Sequence, residues 1–309
     1  MTMNQFDIIG DVHGHATELR QLLSKLGYQQ TLSGYQHPKR TALFVGDFVD
    51  RGPAQLEVLD IVRTMIENRA ARAVMGNHEF NAIGWFSRND NGEPLREHTE
   101  KNRKQHAAFL NAVGENSAQH KEWISWFKTL PLWLELPELQ IIHACWNPQA
   151  MAAIRPYINE HQQLQEQQLI HCYQKGHIAY QAIESLLKGV ELPLPATHYF
   201  LDKDGHQQQM TRIKWWQKHG SFREKAILPD EYAQHLPAHS LSDEIMQLAD
   251  IRKPTFIGHY WLQGEPSPRS EMVACVDFSV AKQGQLMAYR FQGESTLNPA
   301  HFISHADPL

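Results

Sequence analysis

The chain has 309 residues, 42% of them hydrophobic, which is ample for a large core and compatible with one catalytic unit carrying an insertion. Its formal net charge of -5 argues against a protein built to coat nucleic acid, so no nucleic-acid partner is expected. Three cysteines without a C-x-x-C spacing exclude a disulfide framework or thiolate metal site, and no run approaches the roughly eighteen apolar residues of a membrane span.

The first predicted strand begins near Phe6 with no basic segment and apolar stretch before it, so a soluble, cytoplasmic protein is expected. That strand, Phe6 to Ile9, ends in Gly10-Asp11-Val12-His13-Gly14. Leu19, Leu22, Leu23 and Leu26 then mark an amphipathic helix closed by Gly27. The unit repeats: Thr41 to Val45 leads into Gly46-Asp47-Phe48-Val49-Asp50-Arg51-Gly52. Pro53 then suits a first helical position, and Leu59, Val62 and Ile66 share one face. A third strand, near Arg72 to Met75, ends in Gly76-Asn77-His78-Glu79. Strands alternating with helices predict an α/β fold with a largely parallel sheet.

Ser87 to Leu95 reads as a loop, followed by two helical patterns, the second carrying Trp123, Trp126 and Phe127 as core aromatics. Leu132 to Leu136, a Pro137-Glu138 turn and Leu139 to Ala144 predict a hairpin that delivers His143. Residues 148–254 read as an insertion or cap within a single domain spanning 1–309. It is helical and Gln-rich to about Leu187, and then holds a hairpin with Asp202-Lys203-Asp204-Gly205 as its turn and Thr211 to Trp216 on its return strand. From Pro254 apolar strands resume at Thr255 to Ile257, before Gly258-His259, and at Glu271 to Asp277 and Gln285 to Phe291. The tail after Gly293 is expected to pack loosely.

Five strand-like runs thus end in Asp, Asn or His. Imidazole, carboxylate and amide oxygen hold borderline divalent metals, and there are enough here for two ions. The stretch 46–52 adds a second carboxylate and a guanidinium between turn-forming glycines, which suits metal and phosphate handled together where α/β sheets place their chemistry. Of the 19 histidines, His161, His171, His177, His206, His219 and His235 lie in polar stretches and are expected on the surface.

Taken together, Gly-Asp-x-His-Gly, Gly-Asp-x-x-Asp-Arg-Gly, Gly-Asn-His-Glu and two isolated strand-end histidines resemble the calcineurin-like metallophosphoesterases. The likeness is to the branch holding phosphoprotein phosphatases and symmetrical bis(5'-nucleosyl)-tetraphosphatases, over residues 6 to about 146 and 254 to about 291. It implies an α/β sandwich of two sheets flanked by helices, with a mostly helical insertion plus hairpin, and a bimetal centre at the strand ends. By motif position Asp11 and His13 would hold one metal, Asn77, His143 and His259 the other, and Asp47 both. Mn, Fe or Zn suits such oxygen and nitrogen donors.

The resemblance further implies that His78, oriented by Asp50, protonates the leaving oxygen, and that Arg51 binds phosphate; Arg212 resembles the family's second phosphate-binding arginine. Departures flank the metals: Ala144-Cys145 after His143, Tyr260 after His259, and Phe278-Ser279 after Asp277. Asp50 is more like the phosphoprotein phosphatases, whereas Gly258 to Leu262 and the hairpin before His143 are more like the tetraphosphatases. The expected activity is metal-dependent hydrolysis of phosphomonoesters, on a phosphorylated small molecule, phosphopeptide or nucleotide. Symmetrical tetraphosphate hydrolysis is the alternative, and a catalytically dead phospho-ligand binder the remote one. Trp146, Tyr260 and Trp261 follow ligand positions closely, so at least one aromatic is expected at the mouth of the site.

Overall fold

The computed structural model describes residues 5–196, 198–201 and 207–308. The chain opens with β1 (Gln5–Ile9), α1 (Ala16–Lys25), a small hairpin of β2 (Gln29–Thr31) and β3 (Gly34–Gln36), β4 (Arg40–Phe44), α2 (Gln55–Glu67) and β5 (Ala71–Ala73). It continues through α3 (Asn77–Phe86), α4 (Glu100–Val113), α5 (Ala118–Phe127), β6 (Trp133–Glu135) and β7 (Gln140–Ile142). Segment 148–254 supplies α6 (Pro148–Ile154), α7 (Leu169–Tyr173), α8 (Ile178–Lys188), β8 (Glu191–Pro193), β9 (Phe200–Leu201), β10 (Gln207–Gln208), β11 (Met210–Ile213), α9 (Phe222–Lys225), β12 (Ala226–Ile227), α10 (Asp230–Ala233) and α11 (Asp243–Gln247). The chain ends with β13 (Thr255–Ile257), β14 (Val273–Cys275), β15 (Asp277–Phe278), β16 (Gln285–Phe291) and β17 (Phe302–Ser304).

Two sheets form an α/β sandwich. One runs β15-β16-β1-β4-β5, with β17 on β16; the other runs β14-β13-β7-β6. The side chains between them include Phe6, Ile8, Leu43, Val45, Ile141, Phe256 and Phe291, while Ile9, Ala42, Phe44 and Ile142 point the other way, into the core under the helices. Burial on both faces explains why these strands read as apolar runs rather than alternating ones. The largely parallel expectation holds only for the middle of each sheet. β1, β4 and β5 are parallel, as are β7, β13 and β14, but β16, β15, β17 and β6 run antiparallel to their neighbours.

Four expectations are corrected. Pro53 precedes the helix, which begins at Gln55, because residues 52–54 close the site loop: Gly52 N–H donates to His13 O at 2.8 Å and Ala54 N–H to Gly14 O at 2.9 Å. In the insertion, β9 pairs with β10, whereas the Thr211 strand lies between β8 and β12 in its own sheet, burying Thr211 and Ile213; the expected turn at 202–205 lies outside the described residues. The tail is not loose. β17 extends the first sheet, Leu297 is buried, and Tyr289 Oη donates to Glu294 Oε1 at 2.7 Å. His161, His219 and His235 are exposed, but His171 and His177 are half-buried and stacked with ring centroids 4.7 Å apart, because His177 caps α8 through Nδ1; His206 is outside the described residues. No helix among the described residues is long and apolar enough to cross a membrane.

Candidate metal centre

The loops after β1, β4, β5, β7 and β13 meet at one edge of the sandwich, and each carries side chains of the centre. Backbone strain gathers there. His13, Asp47, Asp50, Arg51, His259 and Trp261 all have positive φ, between 45° and 71°, which non-glycine residues adopt rarely and at a cost. Glu79 holds the loop of Asp47 in that shape. Fully buried in the first turn of α3, it accepts the N–H groups of Asp47 and Phe48 at 2.8 Å each, Gly76 at 3.0 Å and Val49 at 3.4 Å. Asp47 in turn accepts His78 N–H at 2.9 Å, the α3 terminus favouring negative charge there. Gly76 and Gly258 are required by close approach: a Cβ on the first would overlap Asp47 Oδ1, and on the second Asp11 Oδ1.

Around the buried Asp47 the expected ligand atoms converge. Its Oδ2 lies 3.6 Å from His13 Nε2, 3.4 Å from His143 Nε2 and 3.9 Å from His78 Nε2. Asn77 Oδ1 is 3.1 Å from His143 Nε2 and 2.7 Å from His259 Nδ1, and Asp11 Oδ2 accepts His259 N–H at 3.0 Å. The ring tautomers are set from behind: His13 Nδ1 donates to Val49 O at 2.9 Å and His143 Nδ1 to Val45 O at 2.7 Å, leaving each Nε2 lone pair facing the centre. Two donor groups, His13-Asp47-His78 and Asp47-His143-His259, each have their ligand atoms within 4.8 Å of one another.

Three atoms of these residues lack partners. Asp11 Oδ1, His13 Nε2 and His259 Nε2 are buried without a hydrogen bond, which is costly unless a cation supplies the contact. Charge points the same way. Burial first, then the Asp277 and Asp47 charges, hold the Asp11 carboxyl well above its usual range, and burial together with Asp47 pushes Glu79 up to about 7. A buried carboxylate cluster whose open atoms are oxygen and imidazole nitrogen fits divalent cations.

Beside it, His78 Nδ1 meets Asp50 Oδ2 at 2.6 Å. Burial works against a charged ring, yet the Asp47 charge and the Asp50 hydrogen bond outweigh it and hold His78 above the ordinary imidazole range. The sequence reading missed His106. This buried α4 residue donates from Nδ1 to the other Asp50 oxygen at 2.8 Å, so one carboxylate is gripped by two imidazoles. Its signal was a histidine on the apolar face of a helix, spaced with Phe109, Leu110 and Val113.

A cavity of about 680 Å3 opens on the centre, lined by Asp47, Asn77, His78, His259, Arg51 and Arg212 among others. Arg212 on β11 therefore reaches the site, with Glu191 at 3.5 Å behind it. Of the aromatics after ligand positions, Trp261 lines the cavity, with the Arg51 guanidinium 5.4 Å from its ring centroid. Trp146 and Tyr260 are buried instead, the tyrosine hydroxyl donating to Ala144 O at 3.2 Å. The sequence reading also missed Arg96, which lines the same cavity from the loop between α3 and α4.

Fold and centre together define a metallophosphoesterase architecture. The chain belongs to the calcineurin-like phosphoesterase family, whose family model matches residues 5–260. It is 35% identical over 141 residues to the asymmetrical bis(5'-nucleosyl)-tetraphosphatase PrpE of Oceanobacillus iheyensis, covering 45% of this chain and 55% of that protein. It is 33% identical over 144 residues to the symmetrical bis(5'-nucleosyl)-tetraphosphatase of Proteus mirabilis, covering 46% of this chain and 45% of that protein. The chain thus spans about half the length of these curated relatives. Among solved structures, a cold-active protein-tyrosine phosphatase of a psychrophilic Shewanella species matches with a TM-score of 0.51 at 14% identity, covering 98% of this chain and 80% of that one. A serine/threonine phosphatase of Saccharomyces cerevisiae matches at 0.50 and 16%, covering 98% and 79%. At these identities the likeness is one of fold.

Proposed function

We propose that the protein hydrolyses phosphomonoesters with the help of two divalent cations. The observation that carries this reading is the pair of buried donor groups that share Asp47, His13-Asp47-His78 and Asp47-His143-His259, with Asp11 Oδ1, His13 Nε2 and His259 Nε2 left without hydrogen bonds, beside an arginine-lined cavity. Asp11 and His13 would hold one cation, Asn77, His143 and His259 the other, and Asp47 both, with Mn, Fe or Zn each compatible with the donors. When bound, such a pair supplies an activated water and polarises a phosphoryl oxygen.

The chain's own residues do the rest. Arg51 and Arg212 clamp the phosphoryl oxygens and orient the ester. His78 is close enough to Asp47 to be counted with the cation ligands by distance alone. Its Nδ1 is taken by Asp50, however, and the ring lines the cavity, so we assign its Nε2–H to the leaving oxygen. Segment 148–254 acts as a cap: Lys175, Lys188 and Arg212 reach the cavity from it and favour small or extended ligands over a broad protein surface.

Hydrolysis of a dinucleoside tetraphosphate is the second reading, favoured by the names of the two relatives and by Trp261 at the cavity, where a stacked base would gain about 1 to 3 kcal/mol. The deciding assay compares kcat/KM for p-nitrophenyl phosphate, phosphopeptides and diadenosine tetraphosphate on manganese-loaded protein. A preference for the monoesters is expected. A dinucleotide preference of about a hundredfold or more, roughly 2.7 kcal/mol of transition-state binding, with two ADP as product, would put the second reading first. Binding of all three without turnover would instead mark a catalytically dead phospho-ligand binder.

A further inference from the structure

The cavity holds more positive charge than one phosphoryl group needs. Arg96 is the clearest surplus. Its backbone N–H donates to Gly84 O at 2.9 Å, which fixes the loop against α3, and its Nη2 donates to Asn102 Oδ1 at 3.0 Å and Gln105 Oε1 at 3.1 Å on α4. Both side-chain partners are neutral. Among the described residues no carboxylate pairs with this half-buried guanidinium, and its Nε and Nη1 groups make no hydrogen bond, although charges withdrawn from water are normally paired. Asp50, the acid whose charge it feels most, is already taken by His78 and His106.

The rest of the wall sharpens the contrast. Lys188 is neutralised by Glu184 at 2.5 Å and Arg212 faces Glu191, whereas Lys175 lines the cavity exposed and has no acidic partner among the described residues. A guanidinium held in place through Nη2, with Nε and Nη1 unbonded and lining a cavity, can offer single hydrogen bonds and an unpaired positive charge to a phosphate.

We propose that Arg96, assisted by Lys175, forms a second phosphate subsite in the cavity. The preferred phosphomonoester then carries a second phosphoryl group beside the one transferred to water. This rests on the phosphoesterase reading and narrows it, since a simple monoester would leave Arg96 facing only solvent.

The test is isothermal titration calorimetry of manganese-loaded protein, at fixed free manganese, with inorganic tripolyphosphate and with orthophosphate. Wild-type protein should bind tripolyphosphate about tenfold or more tightly than orthophosphate, and Arg96→Gln should lower that ratio to about threefold or less. Lys175→Gln, at an exposed position where folding is not at stake, should lower it about twofold to fivefold by removing one charge. A wild-type ratio below about threefold, or one that moves less than about twofold in both variants, overturns the subsite and assigns any tripolyphosphate preference to the metals. Hydrolysis is measured separately from binding. If p-nitrophenyl phosphate is not hydrolysed the phosphoesterase reading fails, while the binding ratio is still measured.

Discussion

At the scale of single residues, the proposed function divides the labour of the centre between Asp47 and Asp50. Asp47 faces His13 and His143 at once, so Asp47→Asn should lower occupancy of both cation positions, whereas Asn77→Ala should mainly affect one. Metal analysis of the purified variants checks this, and two tightly bound metals in Asp47→Asn would show the bridging role to be wrong. Under the proposed mechanism Asp50 serves the proton instead, through its hydrogen bonds to His78 and His106. His78→Asn should lower turnover by roughly 10²- to 10⁴-fold for esters with poor leaving groups, and far less for p-nitrophenyl phosphate, whose leaving group needs little protonation. His106→Leu removes one of the two imidazoles gripping Asp50 and should cost about 10- to 100-fold on the same poor leaving groups. Little further loss is expected when it is combined with His78→Asn; fully multiplicative losses would place His106 outside this unit. The residues proposed as ligands stood out in the sequence because each follows a short apolar run. His106 and Arg96 did not, because a charged or polar residue inside an ordinary helix or loop shows its partner only once α3 and α4 are packed.

At the scale of elements, strand ends do the positioning, and what anchors the strands is partly hidden. Asp7 in β1 is fully buried and bonded to Arg40 Nε at 2.9 Å and Arg290 Nε at 3.0 Å, which ties β1 to its neighbours β4 and β16. Asp7→Ala leaves the buried Arg40 uncompensated and should destabilise the fold by about 3 to 5 kcal/mol. Urea unfolding measures it, and a loss under about 1 kcal/mol would mean that solvent or another acid reaches the arginines. Strands and the hairpin of β6 and β7 were readable from apolar runs and a Pro-containing turn. The tail strand β17 was not, since Phe302 to Ser304 is too short to carry a periodicity and is fixed by pairing with β16. The return strand of the insertion was misassigned for a related reason: β8 and β9 are both acceptable partners by pattern, and only the register of Met210 with Pro193 selects the first.

At the scale of the whole molecule, the sandwich gathers like charges that folding alone does not balance. Asp11 is held well above the usual carboxyl range and Glu79 is pushed up to about 7 from 4.5, both by burial first. A carboxyl raised in the folded state contributes stability at low pH that is lost as pH rises through its folded value. Metal-free protein should therefore lose stability between about pH 4.5 and 7, while cations that bind the ionised cluster restore it. The gain in Tm on adding manganese should be larger near pH 7.5 than near pH 5.5; an equal or smaller gain would contradict this charge balance. The most direct test of the two-cation phosphoesterase account is a manganese titration of chelator-stripped protein, followed by p-nitrophenyl phosphate hydrolysis. The account predicts negligible turnover without metal, a plateau at two equivalents per chain, and no plateau in Asp47→Asn. Full turnover in the stripped protein, or a plateau unaffected by Asp47→Asn, would contradict it.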